Sequence, residues 1–267
     1  MNKRHFSSYL IIGVLMMLYC LPAAGQKVLA TIVKSGELRV GTSGNQPPYS
    51  MMSKTGELMG FEIDLAKALA TNMGVKLKLV EMPFSELMDA LKNNKIDAIM
   101  SGMTITPERN LVALFAGPYT ISGKATLTKS SKVAAFNADT STMKKYKIVC
   151  LKGSTSEEFV KSAMSKQTLV TVSNYDEGVN MVINDQADAM VADKPICVIS
   201  IMKYPGKDLV MTEQPLTIEP IGVALPAGDP QFLNLVSNYI STLQISLTLT
   251  GLEQKWFKDG AWMLNVK

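Results

Sequence analysis

Ser101-Gly102-Met103-Thr104-Ile105-Thr106-Pro107-Glu108-Arg109 is the stretch around which the rest of the chain is organised. It follows Ile96-Asp97-Ala98-Ile99-Met100, an apolar run bounded by turn residues, which reads as a buried strand. Thr106-Pro107 reads as a helix start. Threonine caps by accepting a backbone N–H, and proline at the first helical position loses nothing by lacking one. A strand end, a small-residue loop and a new helix thus present free N–H groups and one guanidinium. That set suits a carboxylate: Arg109 can hold it through two parallel hydrogen bonds, and the loop and helix N-terminus add donors. An ordinary surface arginine on a short helix fits the same spacing.

Upstream, Gln26 to Gly36 reads as a lead-in helix and Leu38-Arg39-Val40-Gly41 as the first strand. The turn-rich loop Thr42 to Tyr49 lies beyond that strand's carboxyl end, where open α/β sheets bind ligands. Phe61, Leu65, Leu69 and Met73 repeat at helical spacing, with Gly74 as the stop. Glu62 and Asp64 in its first turn read as surface acids complementing the helix dipole. Val75, Leu77 and Leu79 alternate as a strand, Ser85 to Asn94 is a helix, and Ile96–Met100 follows. The resulting βαβαβ order implies a mostly parallel sheet flanked by helices.

Downstream, Gly117-Pro118-Tyr119 to Lys124 reads as a strand leaving this unit, and Ala125 to Lys145 as a strand and a polar stretch. A second unit then runs through strand Lys147–Leu151, the loop Gly153-Ser154-Thr155-Ser156, helix Glu157–Met164, strand Leu169–Val172, helix Asp176–Asn184 and strand Ala187–Ala192. Lys95-Ile96-Asp97-Ala98-Ile99-Met100 recurs in kind as Gln186-Ala187-Asp188-Ala189-Met190-Val191, so two similar lobes would face each other across a cleft. Asp97 and Asp188 read as turn and strand-start residues. Ile221 to Leu225 is a returning strand, Asp229 to about Leu249 a long helix and Gly251 to Phe257 a shorter one.

The chain has 267 residues, 47% hydrophobic, enough to bury a sizeable core. Its formal charge of +4 comes from basic and acidic residues mixed along the chain, which argues against nucleic acid as partner. Lys3 and Arg4, the apolar run Leu10–Leu21 and Ala23-Ala24-Gly25 read as a secretory signal over residues 1–25, cleaved before Gln26. Cys20 follows Tyr19 where a lipobox wants a small residue, so no lipoprotein is expected. Removing Lys3 and Arg4 leaves 25 basic against 23 acidic residues. His5, the only histidine, lies in the signal, so the mature protein has no histidine for catalysis or metal binding. No metal or cofactor is expected. Cys150 and Cys197 read as two buried free thiols rather than a disulfide.

Four segments in order carry a resemblance: Gly36-Glu37-Leu38-Arg39-Val40-Gly41-Thr42, Gly60-Phe61-Glu62-Ile63-Asp64-Leu65-Ala66, Lys95–Met100 and Gly102–Arg109. Together they resemble the family 3 bacterial extracellular solute-binding proteins, the periplasmic amino-acid receptors of ABC importers, from about Val33 to Phe257. The resemblance implies a two-lobed α/β periplasmic-binding fold of type II, with two hinge strands permitting closure. Residues 26–120 and 219–267 would form lobe 1 and residues 121–218 lobe 2. It implies a periplasmic monomer that takes a free amino acid and docks on a membrane permease.

The resemblance also assigns the site. Arg109 and the Thr104 backbone would hold the ligand carboxylate, with Gly153 and Thr155 adding donors from lobe 2. Asp193 would hold the α-ammonium, and Ser101 and Gly102 would supply a hydroxyl and a carbonyl. Phe84 falls at an apolar wall, Gln46 where many members carry an aromatic stacker, and Ser43 where receptors for basic amino acids have an acid. Leu151 stands where some glutamine receptors have lysine. With Met103, these imply a neutral side chain. A cyclohexadienyl dehydratase-like enzyme and an extracellular sensor are the alternatives on the same fold. The enzyme would use Lys124 as acid or base, whereas its position otherwise reads as a surface lysine of a hinge strand.

Overall fold

The computed structural model describes residues 28–137 and 144–266; the signal-peptide expectation lies outside them. The first sheet is built from strands β1 (Glu37–Thr42), β5 (Lys76–Glu81), β6 (Ala98–Ile99), β7 (Ala113–Ser122) and β13 (Glu219–Pro226). Their order is β5-β1-β6-β13-β7. β1 runs parallel to β5 and β6, and β13 runs antiparallel to β6 and β7. The second sheet holds β8 (Lys124–Lys129), β9 (Lys147–Leu151), β10 (Thr168–Val172), β11 (Ala189–Asp193) and β12 (Leu209–Met211) in the order β10-β9-β11-β8-β12. There β9 runs parallel to β10 and β11, and β8 runs antiparallel to β11 and β12. Each sheet therefore repeats one design: four strands run one way and the fourth in order, β13 or β8, runs against them. The chain crosses between the sheets at Gly123 and again over residues 212–218.

The repeat extends to side chains. Asp97 accepts Arg39 N at 2.8 Å while its own N–H donates to Arg39 O, and its carboxylate also takes the Arg39 guanidinium at 2.6 Å. Asp188 does the same in the second sheet, accepting Lys147 N at 2.8 Å and donating to Lys147 O, with Lys132 Nζ at 2.6 Å. In both places the aspartate fastens the strand that leads into the cleft, which is the strand-start role read from the sequence.

Helices α1 (Val28–Ser35), α2 (Phe61–Asn72), α3 (Leu87–Lys92) and the four-residue α4 (Pro107–Asn110) belong with the first sheet. Helices α5 (Ser130–Asn137), α6 (Thr155–Ala163), α7 (Tyr175–Ile183) and α8 (Lys194–Lys203) pack on the second. Helices α9 (Pro230–Ile245) and α10 (Thr248–Glu253) return to the first. The apolar stripe of α2, Phe61, Leu65 and Leu69, is fully buried with Leu38 and Val40 of β1. At about 1.5–3 kcal/mol per buried large side chain, this stripe is what holds the helix on the sheet.

Several elements differ from the sequence reading. The long final helix is broken: Leu247 takes φ +59°, which no helix interior accommodates, and α10 begins after it. The loop after β1 carries a small antiparallel sheet, β2 (Asn45–Gln46), β3 (Ser50–Met52) and β4 (Leu58–Met59). The polar stretch after β8 starts with helix α5 rather than remaining irregular. The Ile96–Met100 strand pairs only at Ala98–Ile99. Glu62 is no surface acid. It is completely buried, because the first turn of α2 dips under the Ser101–Thr104 loop. Asp64 accepts Trp256 Nε1 at 2.9 Å and Lys255 Nζ at 2.7 Å. Cys150 and Cys197 are both buried and unbridged. No helix among the described residues is long and apolar enough to cross a membrane.

Gly60, immediately before α2, has φ +141°, and a Cβ there would collide with the Tyr49 carbonyl oxygen. Gly60→Ala should therefore destabilise the protein by at least about 2 kcal/mol. The measure is a lower urea midpoint at unchanged m-value; an unmoved midpoint would show that the backbone there yields freely.

Candidate functional site

The loop leaving β6 is fixed from three sides. Gly102 takes φ +57°, and its N–H donates to both oxygens of the Glu62 carboxylate, at 2.8 and 3.0 Å. The Tyr119 hydroxyl donates to the same carboxylate. Further along, Gly222 N donates to Met103 O at 3.1 Å and Ile105 N to Pro220 O at 2.8 Å, tying the loop to β13. The helix start read from Thr106-Pro107 is present: Thr106 Oγ1 accepts Arg109 N at 3.2 Å, with Pro107 at the first helical position.

Arg109 is thereby aimed across the gap between the lobes. It donates to Thr104 O of its own loop at 2.9 Å and to Gly153 O of the other lobe at 3.2 Å. Its guanidinium carbon lies 5.8 Å from the centre of the Phe84 ring. Burial lowers its pKa from the usual arginine range, opposed by Glu158, Glu219 and Asp193.

On the other lobe, Gly153 (φ +75°) and Ser154 turn the chain from β9 into α6. Ser154 caps α6 by accepting Glu157 N, while Glu157 takes Gly153 N at 2.7 Å. Thr155 Oγ1 receives Lys124 Nζ at 2.6 Å, donates to Glu219 at 3.1 Å and lies 3.4 Å from Thr104 Oγ1 across the gap. Asp193 ends β11 and is buried. Lys124 Nζ lies 3.8 Å from Asp193 and 3.0 Å from Glu219. Burial pushes the Asp193 carboxyl up to about 6, against the opposing pull of Lys124.

These groups enclose a small cavity of about 10 Å³ between the lobes. Of the residues expected from sequence, Phe84, Gly102, Thr104, Arg109, Thr155 and Asp193 line it. Four others do not. Ser43 and Ser101 sit behind it, both donating to Gln46 Oε1 at 2.9 and 2.6 Å, so their hydroxyls are already spent. Gly153 presents its carbonyl to Arg109, because its N–H is taken by Glu157. Leu151 is core, as is Met103, since the last residue of β9 turns its side chain inward.

Gln46, Ser154, Ser156 and Tyr175 line the cavity as well. Gln46 occupies the aromatic-stacker position with an amide, whose Oε1 accepts from Ser43 and Ser101. The sequence marks Tyr175 only through the Asn174 cap before it, which starts α7 by accepting Glu177 N at 2.8 Å. Lys124 is 1% exposed rather than a surface residue, because β8 begins at the lobe junction. Among the described residues no three His, Cys, Asp or Glu side chains are placed to hold a metal.

Glu62, with no solvent contact, has its pKa raised from 4.5 to about 7 by burial, against the bonds from Tyr119 and Gly102. A raised carboxyl keeps its proton folded while the unfolded chain loses it. Stability from this group is therefore full below pH 4.5 and lost as pH climbs to about 7. Relative to Glu62→Gln, the wild type should lose up to about 3 kcal/mol of unfolding free energy over that interval. Urea titrations across pH check this; parallel pH curves for the two proteins would refute it.

A family model, bacterial extracellular solute-binding proteins, family 3, matches residues 38–259. The L-cystine-binding protein TcyJ of Escherichia coli (strain K12) is 29% identical over 238 residues, covering 88% of this chain and 87% of that protein. Among solved structures, the ancestral amino acid-binding protein AncCDT-1, described as a precursor of cyclohexadienyl dehydratase, is 37% identical. It covers 86% of this chain and 99% of its own, with a TM-score of 0.80. A putative ABC-transporter binding component from Wolinella succinogenes, complexed with lysine, is 34% identical with the same coverage and a TM-score of 0.82.

Proposed function

The chain belongs to the family 3 bacterial extracellular solute-binding proteins, and from that premise we propose that it is a periplasmic receptor for one free amino acid with an uncharged side chain. It would close on that amino acid and present it to the permease of an ABC importer. The observation that carries the reading is that Arg109 and Asp193, on opposite lobes, line one cavity. A guanidinium and a carboxylate so placed match the two charges of a zwitterion. Thr104 and Thr155, whose hydroxyls lie 3.4 Å apart, line the same cavity as hydrogen-bonding groups.

The remaining lining supports an uncharged side chain. Gln46, Phe84, Ser154, Ser156 and Tyr175 carry no formal charge at neutral pH. The nearby lysine, Lys124, is engaged by Glu219, Asp193 and Thr155. A third charge on the ligand would enter a buried site without a partner, at a cost of several kcal/mol. Shape change on closure gives a permease the means to distinguish receptor states.

A thermal-shift screen against the twenty common amino acids, followed by calorimetry, tests the reading, since a ligand of the folded state raises its stability. Tightest binding of arginine or lysine would overturn the uncharged-side-chain assignment. Sustained turnover of prephenate or arogenate by the purified protein would replace the receptor with a dehydratase.

Arg109→Ala should weaken the best amino acid by about 2–5 kcal/mol, as truncating one side of a buried charge pair does; an unchanged Kd would remove Arg109 from the carboxylate site. Asp193→Asn should weaken amino acids more than their des-amino analogues. Equal losses for the two ligand sets would count against the ammonium contact.

A further inference from the structure

A second cavity, of about 410 Å³, lies where the two lobes join and shares no residue with the one lined by Arg109 and Asp193. Its size falls in the range of small-molecule sites, which run from about 300 to 1,000 Å³. Pro48 and Phe257 wall it from the first lobe, Val198 and Ile199 of α8 from the second, and Ile121 where the chain crosses between them.

The walls are preformed. Phe257 is held edge-on by Tyr49 and Phe61, with ring centres 5.3 and 5.2 Å away. Ile121 leaves 66% of its surface exposed at the rim. The one charged side chain in the lining is Lys194. Its backbone N–H is fixed to Gly123 O at 2.7 Å. Its ammonium has no hydrogen-bond acceptor or ion-pair partner among the described residues. Lys203, at the other end of the same helix, is by contrast paired with Asp176 at 3.0 Å. Apolar walls with a single unspent cation are complementary to an apolar tail ending in an anion.

We propose that this groove is a second ligand site, for a carboxylate bearing an apolar tail, and that its occupancy is coupled to amino-acid binding in the cleft. The tail lies against Phe257, Val198 and Ile199, and the carboxylate meets Lys194. Coupling follows from the origin of the walls. Rotating one lobe on the other moves Phe257 relative to α8, so a ligand between them makes different contacts at different lobe angles. Coupling of two equilibria is reciprocal. The site itself is independent of the receptor reading; only the coupling rests on it.

Octanoate serves as probe and octanamide as its uncharged counterpart, in calorimetry on the full mature chain. Octanoate should bind with one-to-one stoichiometry and about threefold or more tighter than octanamide, the scale of a partly exposed ion pair. Lys194→Gln, a change at a partly exposed side chain, should erase that preference while octanamide binding stays. Arg109→Ala should still bind octanoate saturably and with the same preference over octanamide, although its Kd shifts because Arg109 bridges the lobes. Saturating octanoate should shift the Kd of the best amino acid by about fivefold or more, and saturating amino acid should shift the octanoate Kd by the same factor.

Absence of saturable octanoate binding overturns the site. So does a preference that survives Lys194→Gln, or binding lost in Arg109→Ala, which would put octanoate in the cleft. An unmoved amino-acid Kd overturns the coupling. Octanoate binding that depends on Lys194 in a protein that binds no amino acid would sink the receptor reading and leave the groove standing.

Discussion

A lysine ammonium removed almost completely from water constrains the centre of this molecule. Lys124 opens β8 just after the first chain crossing, and Glu219 opens β13 just after the second. Asp193 closes β11 and Thr155 opens α6. Burying such an ion costs several kcal/mol unless it is fully paired, so the four segments must meet where Lys124 is. Their meeting point is also the floor of the cleft. The acid assigned to the ligand's ammonium is thus one of the acids that neutralise Lys124. In the proposed receptor, recognition and the joining of the lobes would draw on the same charges, so neither could change without disturbing the other.

The opposite wall depends on a buried carboxyl group. Glu62 gives both carboxylate oxygens to Gly102 N, which holds a left-handed turn in the loop that carries Thr104 and leads to Arg109. The loop contributes backbone groups to the site, and backbone groups are only as well placed as whatever fixes them. Here that is one carboxylate, one tyrosine hydroxyl and the bonds to β13. Polar groups bound in this way are costly if any member is lost, because each survivor is left desolvated.

Local signals carried much of this. Thr106-Pro107 capped α4 as its chemistry requires, and the apolar period of α2 placed its buried face. The recurring Ile-Asp-Ala and Ala-Asp-Ala segments announced two similar units, and Asp97 and Asp188 do equivalent work in them. What remained hidden depended on contacts distant in sequence. Glu62 looks like any first-turn acid until Gly102, forty residues on, arrives above it. Lys124 looks like a solvated lysine until Glu219 returns. Leu151 and Ser43 were placed by position in a family pattern, and position says nothing about which way a side chain turns. Tyr175 lines the cavity because α7 of one lobe meets β2 of the other, a contact that no window of sequence contains.

The chain passes between the sheets twice, at Gly123 and over residues 212–218. One tether would leave a body free to tumble about a point. Two tethers side by side act as an axle: they suppress sliding and twisting and leave one soft degree of freedom, a swing about the line that joins them. Such a mechanism needs no lubricated interface and no stored strain, only two short spans whose separation stays constant while everything beyond them turns.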